Sequence, residues 1–321
     1  MRPIVFFDPV CYRPYNLHTL KNEPLGGTEA TVIRVAERLD AYVLQHNSTS
    51  TKGRYLNWTA PLSGIEHVIV LRHPESLFLA RARFPKAKLY LWLQDIAGAS
   101  LVHHMNIVKA LGVTIVPVSD WHAGQIRHLL EINGAPIPPI HRVYNPVDDD
   151  LAPDSTPVDP NKFVFFSAAH KGLHYTLECF NWLREKLPDA KLYVSNPGYK
   201  ANCEVNLSGR EGLVVLGSLP QPEILKHVRG AQCVFYPNMV FPETFGIVFA
   251  ESNAVGTPVV THPIGSAPEV LHPTEQCIDC SNPQAVVERV LSYSRTRPTV
   301  SCKPAFRLSS VVSDWNKLLS T

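Results

Sequence analysis

The sequence predicts an α/β protein built from two doubly wound, parallel-sheet domains in tandem. Three observations carry this. Short apolar runs rich in β-branched and aromatic residues alternate with longer segments of helical periodicity, a proline-rich stretch at 136–160 interrupts the alternation, and the same rhythm then resumes over a similar length. Strands that are apolar throughout and separated by helices are buried on both faces, as in parallel sheets covered by helical layers.

In the first half, "IVFF" (4–7), "HVIVL" (67–71), "KLYLWL" (88–93) and "TIVPV" (114–118) read as strands. The segments 28–39, 74–84 and 120–130 place apolar residues three and four apart and read as helices packed on one face. The stretch "PIPPIHRVYNPVDDDLAPDSTPVDP" (136–160) has few helix formers and reads as a linker or hinge. Beyond it, "KFVFF" (162–166), "AKLYV" (190–194), "LVVLG" (213–217), "QCVFY" (232–236) and "TPVVT" (257–261) are strands, with helices expected at 172–187, 221–230, 244–255 and 283–294. This organisation assigns 1–147 to the first domain and 148–307 to the second. It places ligands at the carboxyl ends of the strands and in the cleft between the domains.

Composition narrows the function. The 321 residues suffice for two cores, and 45% apolar with 18% charged residues is globular composition. Thirty basic against 28 acidic side chains leave a formal charge of +2, so no broad field draws nucleic acid or an anionic surface, and any anion site is local. The seven cysteines are an odd number without framework spacing, which fits a reducing compartment and a cytoplasmic location. Cys277 and Cys280 form a lone CxxC with no second pair, and only His272 lies near, which is too few ligands for zinc. The amino terminus lacks a signal-peptide core and no apolar run is long enough to span a bilayer, so the sequons at Asn47, Asn57 and Asn206 read as chance matches.

The stretch "FPETFGIVFAESNAVGTPVVTHPIG" (241–265) is otherwise uncharged and apolar, yet holds Glu243 and Glu251 eight positions apart. A helix is expected to begin near Thr244, directing the N–H groups of Thr244, Phe245 and Gly246 at the strand ends, where an anion such as a diphosphate fits. Glu251 then lies about 12 Å further along the helix axis and roughly 80° around it. Two carboxylates so spaced suit the hydroxyls of a ribose and of a second sugar joined through a diphosphate. The competing reading makes Glu243 a helix-dipole charge and Glu251 the partner of an arginine.

The run Pro242-Glu243-Thr244-Phe245-Gly246, followed by Glu251 and "AVGTPVVTHPIGSAPEVL", resembles the donor-site motif of the retaining nucleotide-sugar glycosyltransferases, the large family 4 of the GT-B fold. Five other stretches agree with that family in order and spacing: "LGGTEATVIRVAERL", "VPVSDWHAGQI", "VYNPVDDDLAP", "FFSAAHKGLHYTLECFNWLREKLPDAKLYV" and "VVLGSLPQPEILKHVRGAQCVFYP". The resemblance covers most of the chain. It implies an α/β GT-B architecture, two Rossmann-like doubly wound domains facing across a cleft, with a terminal helix (308–321) returning to the first domain.

It also implies roles for individual residues. Glu243 would bind the transferred sugar and Glu251 the ribose, while Thr244, Phe245 and Gly246 would hold the diphosphate, faced by the Gly26-Gly27 loop. Lys171 would neutralise charge on the leaving diphosphate, and Leu219 would contact the base through its backbone. Two positions depart from the family. "FVFFSAAHKG" has no arginine ahead of Lys171, so either Lys171 suffices or His170 adds charge; and Gln94 and Asp95 stand where a histidine is common, leaving Asp95 a candidate contact for sugar or acceptor. A metal-independent, front-face transfer with retention follows, using no cofactor beyond the nucleotide-diphosphate sugar, with a glycan, lipid-linked or glycoprotein acceptor. Two rival readings stay open: a catalytically degenerate donor-binding subunit, and a sugar epimerase or phosphorylase on the same fold.

Other features have plainer readings. Asp148-Asp149-Asp150 is expected to be a solvated turn, and His103 and His104 to cap or solvate a helix start. Trp92 and Trp121 have apolar neighbours that favour core placement. Arg81, Arg83, Lys86 and Lys88 read as a charged helix face and its following loop, the alternative being a phosphorylated or membrane-bound acceptor, and hence a peripheral membrane contact.

Overall fold

The computed structural model describes residues 3–196, 207 and 209–321. The chain divides into two compact units, one made of Met1–Leu17, Thr28–Pro146 and Leu308–Thr321, the other of His18–Gly27 and Val147–Arg307. The glycine-loop segment His18–Gly27, which the sequence division leaves in the first domain, therefore groups with the second.

The chain begins with β1 (Ile4–Asp8), α1 (Leu17–Asn22), α2 (Gly27–Leu39), β2 (Tyr42–Gln45), β3 (Tyr55–Asn57) and β4 (His67–Leu71). It continues with α3 (Leu77–Arg83), β5 (Lys88–Trp92), α4 (Ala99–His103), α5 (Met105–Ala110), β6 (Thr114–Val116) and α6 (Asp120–Ile132). The six strands make one parallel sheet in the order β3-β2-β1-β4-β5-β6. Strands β2 and β3 escape a periodicity reading because they are only four and three residues long and each ends on a polar side chain. The helix expected at 74–84 begins as a 3-10 turn at Pro74–Ser76 before becoming α3.

Part of the proline-rich stretch is pinned rather than loose. Ile115 N donates to Pro139 O at 2.9 Å, and His141 N and Val143 N donate to Ile115 O and Pro117 O at 3.0 Å each. The segment thus lines the sheet edge, where proline's missing N–H costs nothing on the outward side. Asp149 and Asp150 lie in an exposed turn that Leu151 N closes onto Asp148 O.

The second unit adds β7 (Asp159–Phe166), α7 (Leu173–Lys186), β8 (Lys191–Ser195), β9 (Leu213–Gly217), α8 (Gln221–Arg229), β10 (Ala231–Tyr236), α9 (Ile247–Ala254), β11 (Val259–Thr261), α10 (Ala267–Val270) and α11 (Pro283–Arg295). Its sheet is also parallel, ordered β11-β10-β7-β8-β9. The first strand is central in each sheet, with the chain winding outward first to one side and then to the other.

The final helix, α12 (Leu308–Leu319), belongs to the first unit and completes its core. Trp315 is fully buried, edge-on to Trp92 with ring centroids 4.9 Å apart and to Phe6 at 5.9 Å. Trp121 is only half-buried.

The described cysteines are free thiols, most of them buried, and burial raises their pKa: Cys11 to about 12, and Cys179, Cys277 and Cys302 to about 11. Cys203 and the sequon at Asn206 lie outside the described residues. The side chains of Asn47 and Asn57 are engaged internally, with Cys11 and with Ser48 and Thr59 respectively, which fits the chance-match reading of those two sequons. Among the described residues no helix is long and apolar enough to cross a membrane.

Two outcomes are expected from this packing. Trp315→Ala empties a close-packed site and should lower unfolding free energy by about 3–5 kcal/mol, read from urea midpoints. His122 is fully buried in the first turn of α6, and desolvation lowers its pKa from 6.5 to about 4, a backbone hydrogen bond at Asp95 opposing the shift. Between those values the unfolded chain binds more protons than the folded one, so stability falls as pH drops from 6.5 toward 4. His122→Gln should remove up to about 3 kcal/mol of that pH-dependent loss, measured as the wild-type-minus-variant difference in unfolding free energy between pH 7 and 4.

Candidate active site

In an open parallel sheet the ligand crevice lies at the carboxyl ends of the two strands whose following connections run to opposite faces. In the second unit these strands are β7 and β10, which pair directly. The connection after β7 carries His170 and Lys171, and the connection after β10 carries Glu243. Residues 72 positions apart in sequence are thereby brought into contact.

Lys171 Nζ donates to both carboxylate oxygens of Glu243, at 3.0 and 2.8 Å, and Tyr236 OH donates to Oε1 at 2.9 Å. Glu243 is only 7% exposed, and these three charge-assisted bonds are what make its ionised form tenable there. Lys171 Nζ also lies 5.1 Å from the centroid of the Phe241 ring, a cation–π distance. His170 meets that ring edge-on at 5.3 Å.

Two glycines set this geometry. Gly172 takes a left-handed conformation (φ 94°) before α7, and a Cβ there would fall 2.9 Å from Asn238 Oδ1, so only glycine lets the two connections approach. Asn238 in turn folds its own loop: its Oδ1 accepts from Val240 N and Phe241 N, both at 3.1 Å, and its Nδ2 donates to Phe241 O. Behind Glu243, Ser266 donates through N and Oγ to Glu243 O at 3.0 Å each. Gly265 packs so closely that a Cβ would lie 2.6 Å from that same oxygen.

The helix after Glu243 starts later than its sequence suggests. Gly246, at φ 73°, is the cap residue of α9, so the first-turn N–H groups come from Ile247 onward, while Thr244 and Phe245 belong to the preceding turn. The left-handed glycine delays the helix, because α-helical backbone cannot pass through that conformation. The Phe245 side chain is buried edge-on against Phe306 with centroids 5.1 Å apart, so it serves the core of the second unit.

Glu251, on α9, is 4% exposed and accepts a hydrogen bond from Nε2 of Gln221, the first residue of α8. Leu219 precedes Gln221 in the same β9–α8 connection. Gly27 also belongs to this unit, where a Cβ would come 3.1 Å from Ile247 Cδ1, so the glycine loop stands beside the start of α9.

The pKa of His170 is held below its ordinary value, first by desolvation and then by Lys171. Asp95 lies in the first unit, exposed, just past β5. At the corresponding switch point of that unit, after β1 and β4, Asp8 is fully buried with Tyr15 OH at 2.9 Å and Arg72 at 3.9 Å, and Arg72 pairs with Glu29 at 3.0 Å. Burial raises the Asp8 pKa, and Arg72 opposes the rise.

Sequence reading missed Tyr236, Gln221, Asn238 and the Asp8 cluster. Tyr236 left one signal, a hydroxyl-bearing residue closing an apolar strand just ahead of Glu243. Among the described residues no group of three or more His, Cys, Asp or Glu is placed to hold a metal ion. Gly265→Ala forces a side chain into the Glu243 backbone at a left-handed φ of 64°. It should destabilise the fold by at least about 1–3 kcal/mol in chemical unfolding, since the neighbouring atoms are backbone and cannot swing away.

Known proteins share this architecture. Residues 149–300 match the family model of the glycosyl transferases group 1. No curated protein matches the sequence of the chain. Among solved structures, the lipopolysaccharide outer core galactosyltransferase WaaB in its apo form is 14% identical, with TM-score 0.60 over 99% of both chains. A point mutant of S. aureus TarM in complex with fondaparinux, α-GlcNAc-glycerol and UDP is 13% identical, with TM-score 0.61 over 79% of this chain and 55% of that one. The pneumococcal O-GlcNAc transferase GtfA in complex with UDP and GlcNAc is 12% identical, with TM-score 0.60 over 79% of this chain and 56% of that one. The chain thus spans little more than half the length of the latter two. Its two Rossmann-like parallel-sheet units have the GT-B fold, and the match to the glycosyl transferases group 1 model lies in the second of them.

Proposed function

We propose that the chain is a metal-independent, retaining glycosyltransferase that moves a sugar from a nucleotide-diphosphate donor to a hydroxyl of a glycan, lipid-linked or glycoprotein acceptor. One observation carries the reading: within the segment that matches the glycosyl transferases group 1 model, the switch point brings Lys171 and Glu243 together, with Glu251 eight residues on. TarM and GtfA, on the same fold, are seen with UDP, which makes uridine nucleotides the first donors to try.

In this reading the Lys171–Glu243 pair is the resting arrangement. The donor diphosphate settles near Gly246 and the start of α9, beside Gly26 and Gly27, and draws Lys171 toward its phosphates, while Glu243, still held by Tyr236, turns an oxygen to the sugar hydroxyls. Glu251 takes the ribose hydroxyls, its place set by Gln221, and the backbone at Leu219 meets the base. The C1–O bond to the diphosphate breaks as the acceptor oxygen bonds C1 on the same face, and the acceptor proton passes to a leaving phosphate oxygen. Lys171 stabilises the charge that develops on that phosphate, which lowers the barrier more than it tightens ground-state binding. Asp95 is assigned to the sugar or acceptor. The free thiols of the described cysteines suit a reducing, cytoplasmic setting.

A thermal-shift panel of nucleotide diphosphates and nucleotide sugars without divalent metal, with donor hydrolysis assayed in parallel, tests this. A ligand at 100 times its dissociation constant should stabilise by about 2.7 kcal/mol. The shift should be base-selective and lost in Glu251→Ala. Lys171→Ala should keep most of its own ligand-induced shift while hydrolysis falls by about a hundredfold or more. Absence of any nucleotide shift would overturn the reading, and binding without hydrolysis or transfer to any acceptor would identify a donor-binding subunit instead.

A further inference from the structure

We infer that the Phe241 ring is the stacking surface for the sugar being transferred, and that this sugar is neutral and presents an apolar C–H face. The inference rests on the proposed donor-site roles of Lys171, Glu243 and Glu251, and it names the class of sugar that such a site takes.

Phe241 stands two residues ahead of Glu243 in the connection that leaves β10. The neighbouring aromatics Tyr236, Phe245 and Phe249 are buried in the core, whereas Phe241 is only half-buried, so its ring does not fill the interior of the unit. Its backbone is nonetheless fixed on both sides. Asn238 Oδ1 accepts from Phe241 N at 3.1 Å, Asn238 Nδ2 donates to Phe241 O, and Asn238 itself is buried. A partly exposed aromatic whose main chain is held by a buried amide is ordered in advance, and loses little freedom when a ligand meets it.

The ring already has a visitor. Lys171 Nζ stands over its face, 5.1 Å from the centroid, and the same ammonium group donates to both oxygens of Glu243 at 3.0 and 2.8 Å. One small cation thus meets an aromatic face and a carboxylate at once. A pyranose offers both contacts in a single body: weakly positive C–H bonds on a face that suits the negative face of an aromatic ring, and hydroxyls on its rim that suit a carboxylate. Once the diphosphate has drawn Lys171 away, the Phe241 face and Glu243 are uncovered together, and the sugar takes the place of the ammonium group. A uronic acid fits poorly, because its carboxylate would face Glu243 while Lys171 is committed to the phosphates. Neutral hexoses, 6-deoxyhexoses and N-acetylhexosamines suit both partners.

Calorimetric titration of the full chain without divalent metal tests this. UDP, GDP and ADP are set against UDP-glucose, UDP-galactose, UDP-N-acetylglucosamine, GDP-mannose, GDP-fucose, ADP-glucose and UDP-glucuronate. Wild type should bind at least one neutral nucleotide sugar about tenfold more tightly than the matching nucleoside diphosphate, and UDP-glucuronate no more tightly than UDP. Phe241→Ala should lose most of that ratio while binding the nucleoside diphosphate as tightly as wild type, which also shows that the variant is folded. Phe241→Leu keeps an apolar side chain of similar size without the aromatic face and should lose the ratio too, whereas Phe241→Tyr should retain it. A loss falling equally on nucleoside diphosphate and nucleotide sugar would mean that the ring serves only to hold Lys171, and would overturn the inference. So would a wild type that binds a nucleoside diphosphate but none of the neutral conjugates more tightly, or one that prefers UDP-glucuronate. Wild type that binds no nucleotide at all would overturn the donor-site reading as well.

Discussion

A parallel strand cannot be joined to its neighbour by a tight turn, and this constraint underlies everything else in the chain. Each connection must cross the sheet, the favoured crossing is right-handed, and the crossings bury both faces under helices. Where the winding reverses, between β1 and β4 and between β7 and β10, no connection covers the strand ends. Those two gaps are where polar groups can stand inside an otherwise apolar structure, and both are occupied by them: Asp8 and Arg72 in one unit, Lys171 and Glu243 in the other.

Keeping a carboxylate in such a gap demands compensation. An unpaired buried charge costs several kcal/mol, and Glu243 meets that cost with a lysine, a tyrosine hydroxyl and a backbone clamped by Ser266. The glycines are the geometric side of the same requirement. Gly172 and Gly265 allow backbones to come within reach that any side chain would hold apart, and Gly246 turns the chain into α9 at the required point. The near-neutral net charge has its counterpart here, because the charges set at the strand ends are local and paired.

The alternation of apolar strands and amphipathic helices was readable because burial on both faces leaves an uninterrupted apolar run, and β1, β4 to β11 and the main helices followed from it. Strands β2 and β3 were too short to carry a period. The pairing of Glu243 with Glu251 was visible as two acids in an apolar run, and Lys171 through its glycine neighbour. The start of α9 was misread because a left-handed glycine looks, in sequence, like any other residue near a helix mouth.

Sequence by itself determined the parallel α/β class, the two-part organisation and the residue types available for chemistry, since these depend on local periodicity and composition. Only the tertiary structure decided that Lys171 and Glu243 touch, that Tyr236 and Gln221 hold the two glutamates, that desolvation and Lys171 lower the pKa of His170, and that His18–Gly27 groups with the second unit. The physical reason is that contact between residues 72 positions apart is set by strand order, and burial, which fixes charge state, is a property of what packs around a group rather than of the group itself.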